Sequence, residues 1–342
     1  MKPLRVLLLV PDHAVPPDTI EGMSAEQVKP FKTEYDVWAG LNNLGHHVMK
    51  LGVGDDLGAI RSAIEDFKPH MTFNLVEEFH GVAVYDYYIA SFLELMKTPY
   101  TGCNPRGLLL SHDKALTKTI LGYHRIRSPE FAVFEMARAI RRPRKMEFPL
   151  LVKSLIDEGS MGISQASLVH DDTKLKERVQ FIHDQLGADA IVERYVDGRE
   201  LYVGVIGNSQ LRVLPPWELH FDNLPEGAAK IATSKVKWDL QYQKKVGVRT
   251  QRAKDLPDGL ASRLERLCKR ICRTLNLTGY ARLDFRLDSA GELYLIEANP
   301  NPQLAYGEDF AESAEADGMK YGELLSKIVS LGLSYRPAWR VA

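Results

Sequence analysis

The chain has 342 residues, 45% of them apolar, enough for a sizeable core and two or three domains. Lys plus Arg number 44 against 45 Asp plus Glu, and a net charge of −1 gives no global pull toward nucleic acid or an anionic membrane. Three cysteines, Cys103, Cys268 and Cys272, are too few for a disulfide framework and fit a reducing compartment, so a cytoplasmic protein is expected.

Val6 to Val10, closed by Pro11, reads as a buried strand, too short for a signal-peptide core or a membrane span. Residues 11 to 33 form a long loop rich in Pro, Asp and Gly. Helical periodicity follows over Thr33 to Leu44, ended by Gly45, then a strand over Val48 to Val53. A helix over Leu57 to Phe67, a strand over Met71 to Val76 and a helix over Tyr85 to Met96 complete an alternating βα pattern, expected to make an open sheet. The first domain is placed at residues 1–105, with a central lobe at 106–190 and a C-terminal lobe at 191–342.

Ser111 is read as the cap of a helix running to Gly122. Strands are expected at Phe131 to Phe134 and Pro149 to Ser154, a helix at Thr173 to Leu186, and paired strands at Ile191 to Tyr195 and Glu200 to Ile206. Residues 222–250 read as a charged, mobile segment, Leu256 to Leu275 as a long helix, and Tyr321 to Leu331 as a last helix. His46, His47, His70 and His80 lack metal-ligand spacing, and the basic stretch Arg138 to Lys145 lacks the interleaved aromatics of a nucleic-acid surface.

Two segments carry chemistry. The first is the hairpin Arg282 to Leu287 and Leu293 to Asn299, turning at Asp288-Ser289-Ala290-Gly291. Residues two apart share a face, so Arg282 joins Asp284, and Glu297 joins Asn299. If Leu287 pairs Glu292, Arg282 faces Glu297 and Asp284 is its diagonal neighbour, roughly 7–8 Å away. Two carboxylates and an amide are hard ligands suited to magnesium, and a one-residue slip would separate them. The plain alternative is a solvent-facing hairpin. The second is Lys153, ending an apolar strand, followed by Gly159, Ser160, Met161 and Gly162. Glycines let backbone N–H groups approach phosphate oxygens, and lysine adds charge. The loop is not a Walker loop, because no Gly-Lys-Ser/Thr ends it. Lys114 sits in the first turn of its helix, where the N-terminus favours anions.

In this order and spacing the pieces resemble the ATP-grasp superfamily, and within it the D-alanine–D-alanine ligase-like group, from about residue 95 to 305. The motifs are Pro99-Tyr100-Thr101-Gly102-Cys103, Asp113-Lys114, Val152-Lys153 with its loop, Glu193-Arg194-Tyr195-Val196 with Gly198-Arg199-Glu200, and Arg282-Leu283-Asp284 through Glu297-Ala298-Asn299-Pro300. The resemblance implies an α/β (α+β) fold: an N-terminal open sheet, a small central lobe and a larger C-terminal lobe with an antiparallel sheet. It implies an ATP-dependent, ADP-forming carboxylate–amine ligase working through an acyl-phosphate. The cofactors implied are ATP and magnesium, in two ions, with manganese able to substitute.

Residue by residue, the resemblance puts Lys114, Lys153 and Gly159 to Gly162 on the phosphates, Glu193 to Val196 on adenine and Glu200 on ribose. Asp284, Glu297 and Asn299 match metal ligands, Arg282 the arginine on the tetrahedral intermediate, and Lys237 a lysine of a closing loop. Glu77, His80, Asn301, Gln303 and Glu308 are candidate substrate contacts, and Glu34 a further one.

The chain departs from the group after Asn299, where Pro300-Asn301-Pro302-Gln303-Leu304 and Glu308-Asp309 replace the Ser-Pro-Gly stretch and the serine that holds an acceptor carboxylate. Acidic groups there repel a carboxylate and attract a cation. The expected partners are a small acid and an amine, with no nucleic acid and no membrane, and a homodimer through the first domain is open. D-alanine–D-alanine ligase proper and a non-catalytic ATP-binding regulator remain alternatives.

Overall fold

The computed structural model describes residues 2–156 and 160–340. Strands β1 (Arg5–Pro11), β2 (His47–Val53) and β3 (Met71–Asn74) form a parallel sheet in the order β2-β1-β3. Central β1 is buried at six of its seven residues, which is why its sequence is a continuous apolar run. Helix Leu57–Phe67 is capped by Asp56, whose carboxylate accepts the Gly58 N–H at 2.7 Å. Helix Lys32–Asn43 crosses the C-terminal helix Tyr321–Ser334, where Gly40 meets Leu325.

The next four strands are β4 (Phe131–Phe134), β5 (Leu150–Ser154), β6 (Leu168–Val169) and β7 (Ala190–Arg194), antiparallel in the order β4-β7-β5-β6. Helix Asp172–Leu186, capped by Asp171 and ended by left-handed Gly187, buries Leu175, Val179 and Ile182 against Leu150, Val152 and Val192.

The third sheet runs β11-β10-β8-β12-β13, with β9 (Arg212–Val213) beside β8 (Arg199–Ile206). Its other strands are β10 (Trp217–Phe221), β11 (Val248–Arg252), β12 (Tyr280–Leu287) and β13 (Leu293–Pro300). Leu201, Val203, Leu283, Phe285 and Leu295 share a core with Leu264, Cys268 and Ile271 of helix Leu260–Thr274. The alternating residues Glu200, Tyr202, Arg282, Asp284 and Arg286 take the other face.

The hairpin register differs from the expectation. Leu287 pairs Leu293, not Glu292, and Phe285 pairs Leu295. That is the one-residue slip that would carry Glu297 to the core face. A bulge then intervenes: Asp284 pairs Glu297 and Arg282 pairs Asn299, leaving Ile296 as the extra residue. The bulge restores the phase, so Glu297 faces Asp284 directly rather than diagonally. The slip originates in the turn, where Asp288 Oδ1 accepts the N–H groups of Ala290 and Glu292 and holds Glu292 out of the ladder.

Other expectations shift for local reasons. Ser111 caps nothing; it lies inside a helix, Pro105–His112, that the periodicity did not reveal, and bonds back to Gly107 O. Asn104 caps that helix and Asp113 caps the next, Lys114–Tyr123. Within the segment read as mobile, helices Ser234–Trp238 and Leu240–Val246 lie between β10 and β11. The loop at 11–33 contains a short helix, Ala25–Val28, closed by a Ser24–Gln27 capping box. Helix Asp309–Ala316 had no counterpart in the sequence reading. Among the described residues no helix is long and apolar enough to cross a membrane.

Gly332 sits where its helix meets the Tyr100 backbone; a Cβ there would lie 2.5 Å from the Tyr100 carbonyl oxygen. A glycine-to-alanine change inside a helix ordinarily gains up to about 1 kcal/mol. Here the obstacle is backbone, so Gly332→Ala is expected to destabilise the protein by about 1–3 kcal/mol in urea denaturation. A neutral or stabilising result would show that the helix can slide away from Tyr100.

Candidate active site

Three strands bring the acidic hairpin groups into one row. Tyr202 on β8 pairs Asp284 on β12, which pairs Glu297 on β13; one step along, Gly204, Arg282 and Asn299 align likewise. Arg282 Nε and Nη2 donate to Asp284 Oδ1 and Oδ2 at 2.8 and 2.9 Å, and Asn299 Nδ2 donates to Oδ2 at 3.0 Å. Arg282 Nη1 also reaches Asp309 at 3.2 Å, and its guanidinium stacks 4.7 Å from the Tyr202 ring centre. Burial pushes the Asp284 carboxyl up, against the pull of Arg282. Burial also opposes ionisation of Glu297, but Lys114, Lys237 and Lys153 outweigh it and bring that carboxyl down to about 2.

This donor set fits magnesium. Two carboxylates and an amide supply hard oxygens from one face, and the remaining positions open toward the cleft. Among the described residues no three His, Cys, Asp or Glu side chains cluster as a metal site, and the third member of the candidate set is the amide of Asn299.

Opposite this face stands a buried lysine pair. Lys153 Nζ lies 2.9 Å from Glu193 Oε2, and Lys118 Nζ 3.2 Å from Glu193 Oε1. Burial drives the Glu193 carboxyl up, yet Lys118 and Lys153 together leave it below its usual range. Burial lowers Lys118, whereas Glu193 and Glu297 raise Lys153 against the same burial. Glu193 Oε1 is fully buried and accepts no well-aligned hydrogen bond, its neighbour being Lys118 Nζ at 3.2 Å. Lys114 Nζ lies 3.3 Å from Glu297 Oε1, joining the lysine side to the metal face.

Lys118 and Arg286 were not singled out in the sequence. Lys118 follows Lys114 by one helical turn and donates to the bulge carbonyl of Ile296 at 3.2 Å. Arg286 extends the Arg282–Asp284 alternation by two residues and donates to Glu200 at 2.6 Å. Both positions were readable from helix and strand spacing.

Of the adenine segment, Glu193, Arg194, Tyr195 and Val196 all line the cleft, with Glu200. The Arg194 and Tyr195 N–H groups already donate to Glu130 and Pro149 carbonyls, so their backbone donors are not free for a base. Glu200 accepts from Arg286 and from the Tyr202 hydroxyl.

Ser160 and Met161 line the mouth of the cleft. Gly162 turns away, its carbonyl accepting from Arg178 and its α-carbon facing Leu186. Gly159 lies outside the described residues. The segment at 222–250 docks on this loop: Ser234 N–H donates to Ile163 O at 2.9 Å, and the Gln165 amide pairs with both backbone groups of Ala229 at 2.9 and 3.0 Å. Lys29 Nζ ties Trp238 O to the first domain at 2.9 Å. Lys237 is thereby brought to the cleft beside Glu297.

The candidate substrate residues are dispersed. Glu77 and His80 are exposed after β3; His80 is left-handed (φ 56°), donates its N–H to Gly54 O at 3.1 Å and packs on Phe79. Asn301 is structural: its Oδ1 accepts the Cys103 N–H at 2.7 Å, bracing the loop at Gly102. Gln303 is exposed; Glu308 keeps part of its surface in solvent, but the desolvated part of its surroundings, with Asp309, pushes its carboxyl up against the pull of Lys32, Lys29 and Arg282. Glu34, in the first turn of its helix, is raised to about 7 by burial.

Two outcomes follow from these charges. Lys118→Met removes one of two cations from a buried carboxylate and is expected to cost roughly 3 kcal/mol, read by urea denaturation; an unchanged midpoint would mean Lys153 alone satisfies Glu193. Glu34 has a raised folded pKa, so its ionisation opposes folding as pH rises from about 4.5 through about 7. Glu34→Gln is therefore expected to raise the melting temperature at pH 8 and leave it unchanged at pH 4.

Comparison with known proteins accords with this geometry. Residues 120–330 match the family model "D-ala D-ala ligase C-terminus". A Sinorhizobium fredii protein, uncharacterized protein y4sG, is 31% identical over 86% of this chain and 85% of its own length. D-alanine–D-alanine ligase of Bordetella petrii is 30% identical over 73% of each chain. The crystal structure of D-alanine–D-alanine ligase from Bacillus anthracis complexed with ATP superposes with a TM-score of 0.71 at 21% identity, covering 96% of this chain and 97% of that one, which shows a shared ATP-grasp fold. The chain belongs to the D-alanine–D-alanine ligase family of ATP-grasp, ATP-dependent, ADP-forming carboxylate–amine ligases.

Proposed function

We propose that this ligase joins an amino acid or small peptide-like acid to an amine, giving a product other than D-alanyl-D-alanine. The observation that carries the reading is the environment of Arg282. Its guanidinium bonds Asp309, and Glu308 stands next to it, so the surroundings of the cation on the acceptor side are acidic. An acceptor bearing a carboxylate meets repulsion there, whereas an amine with no free carboxylate does not.

The residue roles follow the chemistry. Lys114, Lys153 and Lys237 neutralise the triphosphate as the substrate carboxylate approaches the γ-phosphorus. Ser160 and Met161 cover the phosphates; Glu193 to Val196 and Glu200 take the base and ribose. Asp284, Glu297 and Asn299 are the groups that hold magnesium, in two ions, with manganese as a substitute. When bound, the metal screens phosphate charge and polarises the transferring group. Phosphoryl transfer leaves ADP and an acyl-phosphate. The amine then attacks the acyl carbon, Arg282 stabilises the oxyanion, and phosphate departs as the amine gives up its proton. Residues 222–250, docked on the glycine loop, keep water from the acyl-phosphate.

The reading keeps three lobes, residues 1–105, 106–190 and 191–342, and a cytoplasmic location. It includes a homodimer through the first domain, where Tyr85, Tyr88 and Leu95 expose an apolar row at helical spacing. The relatives' names favour a second reading, D-alanine–D-alanine ligase itself.

The deciding experiment is phosphate release from ATP across pairs of acids and amines. Release that needs both an acid and a carboxylate-free amine is the expected result; robust release with D-alanine alone selects the second reading. In the productive pair, Arg282→Ala is expected to lower kcat by about 10²–10³ while ATP binding stays within a few-fold. Equal kcat in that variant would remove Arg282 from the chemistry.

A further inference from the structure

Sharing no lining residue with the nucleotide cleft is a groove lined by Arg125, Arg127, Arg263, Arg266 and Arg270, with Glu292 as its one acidic group. The chain as a whole carries a net charge of −1, so this concentration of cations is local rather than compositional. Two segments build it. Arg263, Arg266 and Arg270 are spaced three and four apart on helix Leu260–Thr274, which puts them on one solvent-facing stripe while Leu264, Cys268 and Ile271 go to the core. Arg125 and Arg127 come from the loop after helix Lys114–Tyr123, on either side of buried Ile126.

The single carboxylate does not neutralise the set. Glu292 serves Arg127 and Arg263, the latter at 3.2 Å, which ties loop and helix together across the groove. Arg270 donates to the His124 carbonyl through Nη2, leaving its other donors toward the groove. The side chains of Arg125 and Arg266 make no hydrogen bond or ion pair among the described residues. The Arg125 backbone is left-handed (φ 54°), its N–H donating to Gly122 O at 2.9 Å where the helix ends. Like charges brought this close repel, and folding alone gives no return for it.

We propose that this groove is a binding site for a small oligophosphate anion, separate from the nucleotide cleft. Guanidinium is the matching chemistry: its planar fork bonds phosphate oxygens in pairs and loses less hydration than an ammonium. All the cations lining this groove are arginine, whereas the cleft is lined by Lys114, Lys153 and Lys237 together with Arg194 and Arg286. Three guanidiniums not tied to Glu292, those of Arg125, Arg266 and Arg270, suit two or more adjacent phosphates better than one. Glu292, paired with Arg127 and Arg263, disfavours a long polyanion that would use all five arginines and favours a compact one held by the other three. The groove also adjoins the working hairpin, because Arg127 O accepts the Leu295 N–H at 3.0 Å, next to the bulge at Ile296.

The test uses the full chain and inorganic tripolyphosphate, titrated by calorimetry in magnesium-free buffer at low salt. A Lys114→Met/Lys153→Met background removes the cleft as a phosphate site. Tripolyphosphate is expected to bind this background with a stoichiometry of about one, weakening as salt rises. Adding Arg125→Glu/Arg266→Glu is expected to weaken binding about tenfold or more, and Arg125→Gln/Arg266→Gln by a smaller factor in the same direction. Thermal melts confirm that these exposed changes leave the fold intact. Binding that is absent in the background, or unaffected by the arginine changes, overturns the proposal. So does single-stranded RNA that binds through the same arginines more tightly than tripolyphosphate, since the site would then serve nucleic acid. None of these readouts depends on ligase turnover, so their failure leaves the ligase reading intact.

Discussion

A single extra residue in β13 decides which side of the sheet the acidic groups occupy. From the turn to Leu295 the hairpin is paired in a phase that would send Glu297 into the core. Ile296 is inserted without a partner, and from Glu297 onward the phase is reversed. Because strand side chains alternate strictly, nothing short of an odd-residue insertion could do this. Lys118 bonds the Ile296 carbonyl, which the bulge has released from the ladder, and so fixes the irregularity from outside the sheet.

The same lysine links the two halves of the cleft. Lys118 pairs with Glu193 on the central sheet and with the β13 backbone on the C-terminal sheet. Lys114, one turn earlier, pairs with Glu297. One short helix therefore reads the position of both sheets, and its two lysines are held in place by carboxylates. Glu193 with two lysines and Glu297 with its lysine neighbours are ionised despite burial because each has cations close by.

Arg282 stands between two carboxylates from different elements. It is locked to Asp284 on the metal face and to Asp309 at the start of the helix that follows. The residues after Asn299 are thereby turned to bracing: Asn301 buttresses the Gly102–Cys103 turn. The arginine groove behind β13 stands apart from all of this, yet one backbone hydrogen bond joins it to the bulged strand.

The sequence by itself determined the parts whose information is local. The β1 run, the helix at Leu57–Phe67, and the same-face pairs Arg282–Asp284 and Glu297–Asn299 follow from periodicities of a few residues. Capping signals misled where two candidates competed: Asn104 and Asp113, not Ser111, start the helices around Lys114. Only the tertiary structure decided the hairpin phase, because a bulge depends on which residue the neighbouring strand and Lys118 leave unpaired. It alone brought Lys118 beside Glu193, 75 positions away in the numbering, and closed residues 222–250 over the glycine loop. It alone revealed that Asn301 is structural, since its partner, the N–H of Cys103, comes from another lobe. Contacts of that kind are set by how sheets pack, and no local pattern of residues encodes them.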